Sequence, residues 1–91
     1  SSPELGHALD WSTGRFSVTP EVLKIHTADV QSMSPEMKRR LWYYSSIGEK
    51  GCGEAVAESF AGLMGAHGKD TAEVVQAFPR LRMWLKDKFK I

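Results

Sequence analysis

The sequence predicts a mainly α domain: a compact bundle of about five short helices, with room for a small N-terminal β-hairpin. Three observations carry this. A helix-start phrase occurs three times, as Ser2-Pro3-Glu4, Thr19-Pro20-Glu21 and Ser34-Pro35-Glu36. Apolar residues downstream of the second and third phrases recur at spacings of three and four, the stripe of one helix face. The 91 residues are 42% hydrophobic and 25% charged, the profile of one small globular domain and not of a disordered tail. A chain this short hides only roughly 60–65% of its unfolded surface, so the core is thin.

The phrase itself has a physical reading. A hydroxyl at the N-cap accepts a hydrogen bond from an open amide of the first turn, and proline beside it sits where no donor is needed. Glutamate in that turn meets the positive end of the helix dipole. The rival reading is phosphorylation before proline, which would also suit a helix N-terminus. Capping explains all three phrases at once.

Taken in order, residues 1–18 form an N-terminal segment packed on the core of 19–91. It is a short helix or a hairpin over 11–18, with Phe16 and Val18 inward and Arg15 and Ser17 outward. A helix from Pro20 carries Val22, His26, Val30 and Met33 and stops before Ser34, with His26 a half-buried core histidine. A second helix from Pro35 carries Met37, Leu41 and Tyr44, and Gly48 is its left-handed C-cap. The run Gly48-Glu49-Lys50-Gly51-Cys52-Gly53 reads as a loop. A third helix, from about Glu54 to Ala66, buries Val56, Phe60 and Leu63 or Met64. Asp70 and Glu73 make a capping-box pattern for a fourth, bearing Val74, Val75 and Phe78. Pro79 either kinks that helix or starts a fifth, and the restriction on the residue before proline favours a break. The last helix, to about Phe89, buries Leu81, Trp84, Leu85 and Phe89.

Composition and spacing argue against several chemistries. A formal charge of +1 gives no global pull toward nucleic acid or membrane, and no apolar run approaches the roughly 20 residues of a membrane helix. One cysteine, Cys52, precludes an intramolecular disulfide and fits a reducing compartment. The chain begins Ser1-Ser2-Pro3, which reads as a piece of something longer. The glycines at 48, 51 and 53 resemble a phosphate loop only superficially, because they follow a helix and lack a Lys-Ser/Thr pair. His7, His26, His67 and Cys52 show no metal-ligand spacing, so no metal and no cofactor are expected. A Cys52/His67 nucleophile pair has no local support, and Glu54 with Glu58 reads as a solvated face rather than an acid–base dyad. The expectation is a non-enzymatic protein.

Charge placement is more informative. Residues 49–77 hold Glu49, Glu54, Glu58, Asp70 and Glu73 against Lys50 and Lys69, whereas 79–91 hold Arg80, Arg82, Lys86, Lys88 and Lys90 against Asp87. Arg82, Lys86 and Lys90 fall at i, i+4 and i+8 on one helix face. Basic residues near a helix C-terminus complement the dipole, but Arg80 and Arg82 lie at the other end, so an acidic partner is expected there. A second cluster, Lys38-Arg39-Arg40, precedes Trp42-Tyr43-Tyr44. Three consecutive aromatics cannot all face inward, so at least one is exposed beside that cluster. Arginine with exposed aromatics suits protein hot spots and single-strand nucleic-acid platforms alike, and the near-neutral charge argues against direct nucleic-acid binding.

The C-terminal run from Gly65-Ala66-His67-Gly68-Lys69-Asp70-Thr71-Ala72-Glu73 through Leu81-Arg82-Met83-Trp84-Leu85 to Ile91 resembles the C-terminal domain of rhabdovirus phosphoproteins. The shared pattern is a glycine-flanked basic turn at Gly68-Lys69, a helix start at Thr71/Glu73, and a basic-aromatic terminal helix from Leu81-Arg82. It covers under a third of the chain, and a plant-infecting member would fit the divergence elsewhere. Pro79 departs from the family pattern at the start of that helix. The resemblance implies a docking domain of a viral polymerase cofactor, in host cytoplasm and virion. It would bind the nucleoprotein coating the RNA template, while other regions of the full protein hold the polymerase. Lys69 and Arg82 match the family's basic positions. Arg80, Lys86 and Lys90 extend the surface on electrostatic grounds, with Lys38, Arg39, Arg40 and Tyr43 as secondary candidates. A helical nucleic-acid-binding module and a small enzyme using Cys52 are the alternatives.

Overall fold

Both hydroxyl-Pro-Glu phrases within residues 19–91, the part of the chain that the computed structural model describes, open helices. Thr19 Oγ1 accepts from the Val22 amide at 3.4 Å and Ser34 Oγ from the Met37 amide at 3.1 Å. They start α1 (Pro20–Ser32) and α2 (Pro35–Arg40). Next come α3 (Trp42–Ser45), α4 (Glu49–Leu63), α5 (Thr71–Ala77) and α6 (Pro79–Phe89). The mainly α expectation holds, with six helices and no strand among the described residues. The phrase at Ser2 and the hairpin expected at 11–18 lie outside them.

The longest helix, α4, is the hub: α1, α3, α5 and α6 all pack on it. It contributes Cys52, Ala55, Val56 and Phe60 to the core, which Val22 and Val30 of α1, Leu41, Val74, Phe78, Leu81 and Leu85 complete. Phe60 meets the Phe89 ring edge-on at 5.1 Å. His26, expected to be half-buried, is fully enclosed and stacks on Phe78 with ring centroids 5.3 Å apart.

Several boundaries differ from the sequence expectation, each for a tertiary reason. The helix from Pro35 breaks at Leu41, whose backbone (φ −112°, ψ 33°) separates α2 from α3. That turn leaves Leu41 only 2% exposed and sends Trp42 outward. The glycine-rich run is the first turn of α4 and not a loop. Gly48 caps that turn at φ 120°, ψ −177°, a backbone region open essentially to glycine alone. At Gly51 a Cβ would lie 2.0 Å from the Ser46 carbonyl oxygen, so the close approach of the two segments requires glycine. The capping box at Asp70 does not form; Asp70 makes no side-chain cap. Thr71 holds that turn instead, its hydroxyl accepting from the Gly68 amide and donating to Glu58 at 2.5 Å. Glu58 is thereby buried, correcting its reading as part of a solvated face. The break at Pro79 is real: Phe78 leaves the helical region (φ −119°, ψ 66°) and α6 begins at Pro79. Within α6, Leu81 and Leu85 are core, while Trp84 and Phe89 are half-buried. The indole N–H of Trp84 reaches Glu21 at 3.4 Å, and the Lys88 ammonium lies 5.9 Å from its ring centroid.

Candidate docking site

The basic residues separate into those the fold neutralises and those it leaves outward. Arg80, expected to meet an acidic partner, already has one in Asp29 of α1. The guanidinium donates to Asp29 Oδ1 at 3.0 Å and to Ser32 Oγ at 3.2 Å. The same carboxylate, 1% exposed, accepts from the amides of Arg80 (3.3 Å) and Leu81 (3.0 Å). Asp29 therefore caps α6 from another helix, where Phe78 has no side-chain oxygen to offer, and its negative charge sits at the positive end of the α6 dipole. Arg80 thus has an acidic partner within the fold, where one outside it is expected from the sequence. Sequence reasoning missed Asp29, because an aspartate between His26 and Val30 reads locally as a solvated helix acid.

In the secondary cluster, Arg40 pairs with Glu73 at 2.5 Å and ties α2 to α5. Arg39 is exposed and Lys38 half-buried. Of the three aromatics, Trp42 is 68% exposed, Tyr43 43%, and Tyr44 packs on the core. The Tyr43 hydroxyl donates to Glu54, and that bond to a carboxylate raises its pKa. Burial, reinforced by Glu58 and other nearby acids, pushes Tyr44 up to about 12. Both phenols therefore stay neutral near pH 7. A cleft of about 120 Å³ lies among Trp42, Tyr43, Ser46, Lys50 and Gly51.

Among the primary candidates, Lys69 is exposed in the turn between α4 and α5, and Lys86 is exposed on α6. Lys90 is also exposed, but it is the C-cap of α6 in the left-handed conformation (φ 54°), so the helical stripe runs through Arg82 and Lys86 and ends there. Arg82 differs from all of these. It is half-buried, and among the described residues no carboxylate lies within ion-pair distance of it. It borders a pocket of about 400 Å³ between α5, α6 and the turn that follows α4. His67 and Gly68 of that turn, Thr71, Ala72, Val75 and Gln76 of α5, and Gly62 and Ala66 complete the lining. His67, weighed in the sequence only as a metal ligand or a base for Cys52, lines this pocket instead, with neighbours from other elements.

Cys52 and His67 are not brought together. Cys52 is fully buried near the start of α4, with Sγ 3.8 Å from the Val22 carbonyl oxygen. His67 lies beyond the other end of that helix, about 16 Å farther along at the helical rise per residue. No group of three His, Cys, Asp or Glu side chains among the described residues could hold a metal ion, and no helix is long and apolar enough to cross a membrane. No protein-family model, curated protein or solved structure matches this chain.

Proposed function

We propose that this chain is a non-enzymatic docking domain that binds an acidic protein partner through the face around Arg82. The observation that carries the reading is Arg82 itself. Arg40 and Arg80 are satisfied by Glu73 and Asp29, whereas Arg82 is partly desolvated at the pocket with no carboxylate within ion-pair distance among the described residues. Holding a cation in that state costs free energy that an incoming carboxylate recovers. Lys86 follows Arg82 by one turn of α6, Lys69 follows Gly68 of the pocket lining, and Lys90 adds charge at the end of the helix. The likeness to rhabdovirus phosphoproteins supplies the partner: a nucleoprotein on its RNA template, to which the domain tethers the polymerase.

The test is calorimetric titration of a plant-rhabdovirus nucleoprotein–RNA complex with the wild type and with the Arg82/Lys86/Lys90 charge reversal, at two salt concentrations. Binding by the wild type and its loss in the triple variant supports the reading. Equal affinity in the two moves the interface elsewhere, with Lys38 and Arg39 next. A second reading, a nucleic-acid-binding helical module, has in its favour the exposed Trp42, which shares a cleft with Lys50. An RNA oligonucleotide that binds without nucleoprotein would select it.

A further inference from the structure

The pocket at Arg82 is larger and more apolar than a carboxylate needs. We infer that it receives an apolar side chain adjacent to the acidic one, so that the ligand is a short acidic segment with an aliphatic anchor. This rests on the docking reading above and specifies the chemistry of that same site. The lining holds a polar group, Arg82 and Gln76, and an apolar one, Ala66, Ala72 and Val75. A purely anionic segment would satisfy the first and leave the second wet. At about 400 Å³, the space falls within the range of pockets that enclose small ligands.

The pocket is also built in advance of binding. At Gly62 a Cβ would come 2.6 Å from Val75 Cγ2 and 2.8 Å from Thr71 Cγ2, so α4 and α5 already touch there and can close no further. The turn bearing His67 is held by Thr71, whose buried hydroxyl bridges the Gly68 amide and the Glu58 carboxylate. A preformed concave wall spares the ligand the cost of ordering it. Charge complementarity chooses the occupant: Arg82, Lys69 and Lys86 select acids, and the alanine–valine wall selects an aliphatic neighbour.

The experiment titrates the 91-residue chain with three synthetic peptides: Glu-Asp-Glu-Leu-Asp-Glu, the same peptide with Ser for Leu, and a neutral Gln/Asn version retaining Leu. The acidic Leu peptide is expected to bind at least about ten-fold more tightly than the Ser peptide, the scale on which an apolar pocket discriminates. Ala72→Trp, which fills the pocket from an exposed helix position, is expected to bring the Leu peptide down to the Ser peptide's affinity. Equal binding of the two acidic peptides by the wild type overturns the anchor and leaves the docking reading standing. A neutral Leu peptide that binds as well as the acidic one overturns the docking reading instead. No binding of either acidic peptide overturns both.

Discussion

His26 enters the core as a neutral imidazole. Its Nε2 lies 2.7 Å from the Tyr44 carbonyl, which can only accept, so Nε2 carries the proton and Nδ1 is a bare acceptor. Nδ1 is buried and has no hydrogen-bond partner among the described residues. Burial lowers the histidine's pKa from 6.5, against smaller opposing effects of the Tyr44 bond and the Asp29 charge. The consequence for stability has a definite sign. Between the folded-state pKa and 6.5, the unfolded chain binds a proton that the folded chain refuses. Stability is therefore complete above pH 6.5 and falls as pH drops below it, by at most about 1.4 kcal/mol per pH unit. For a domain of this size that is up to about 6–11 °C of melting temperature per unit. His26→Gln keeps an N–H for the Tyr44 carbonyl but cannot titrate, so its melting temperature should be lower at pH 7.5 yet flatter between pH 6.5 and 5.5. Parallel slopes in the two proteins would assign the acid sensitivity to another group. The placement of His26 on an apolar stripe was legible from Val22 and Val30. Its complete enclosure was not, because Phe78, the ring that covers it, arrives from the far end of α5.

At the scale of elements, the entrance to α4 shows how a local rule and a tertiary contact can oppose each other. Helix propensity charges each glycine about 1 kcal/mol against alanine, which is why residues 48–53 read as a loop. The structure keeps Gly51 in the helix because the Ser46 carbonyl lies where its Cβ would be. Gly51→Ala is accordingly expected to destabilise by roughly 1–3 kcal/mol, the cost of overpacking, although propensity alone forecasts a gain. Urea denaturation decides it: a raised midpoint with unchanged slope would show that the Ser46 backbone moves aside at little cost. The cap of α5 follows the same logic. Asp70 and Glu73 carry the local pattern, but the buried Glu58 gives the Thr71 hydroxyl a stronger partner, so the turn is organised around Thr71. The Leu41 break was invisible for the opposite reason, since the apolar spacing runs through it unbroken. Starts governed by the residues next to them, at Thr19, Ser34 and Pro79, are legible in the sequence.

Across the whole molecule, the sequence divides charge into an acidic middle and a basic end, and folding then spends part of that asymmetry internally. Arg80 and Arg82 are two residues apart and equivalent by composition, yet they point to different partners. Which one is structural depends on Asp29, a residue of α1 brought alongside the start of α6. That contact could not be seen in a single chain, whereas the basic character of the final helix could. The two arginines therefore give a paired prediction. Arg80→Glu sets a new carboxylate against the buried Asp29 and removes a donor from it. With the Arg80 side chain 53% exposed, solvent screens part of the repulsion, and the loss should be about 1–3 kcal/mol. Its melting temperature should fall by several degrees. Arg82→Glu breaks no ion pair within the described residues, so its melting temperature should stay close to the wild type. Its affinity for the acidic Leu peptide should drop by ten-fold or more, the scale of a lost charge-assisted contact. Lys90→Glu, at the helix end, should lose less, because an exposed rim charge acts mainly on the association rate. Melting temperature and affinity measured on all three variants separate the roles. If Arg82→Glu melts as early as Arg80→Glu, Arg82 belongs to the scaffold. If Arg80→Glu loses affinity while keeping its melting temperature, the interface lies over α1 and the start of α6 instead.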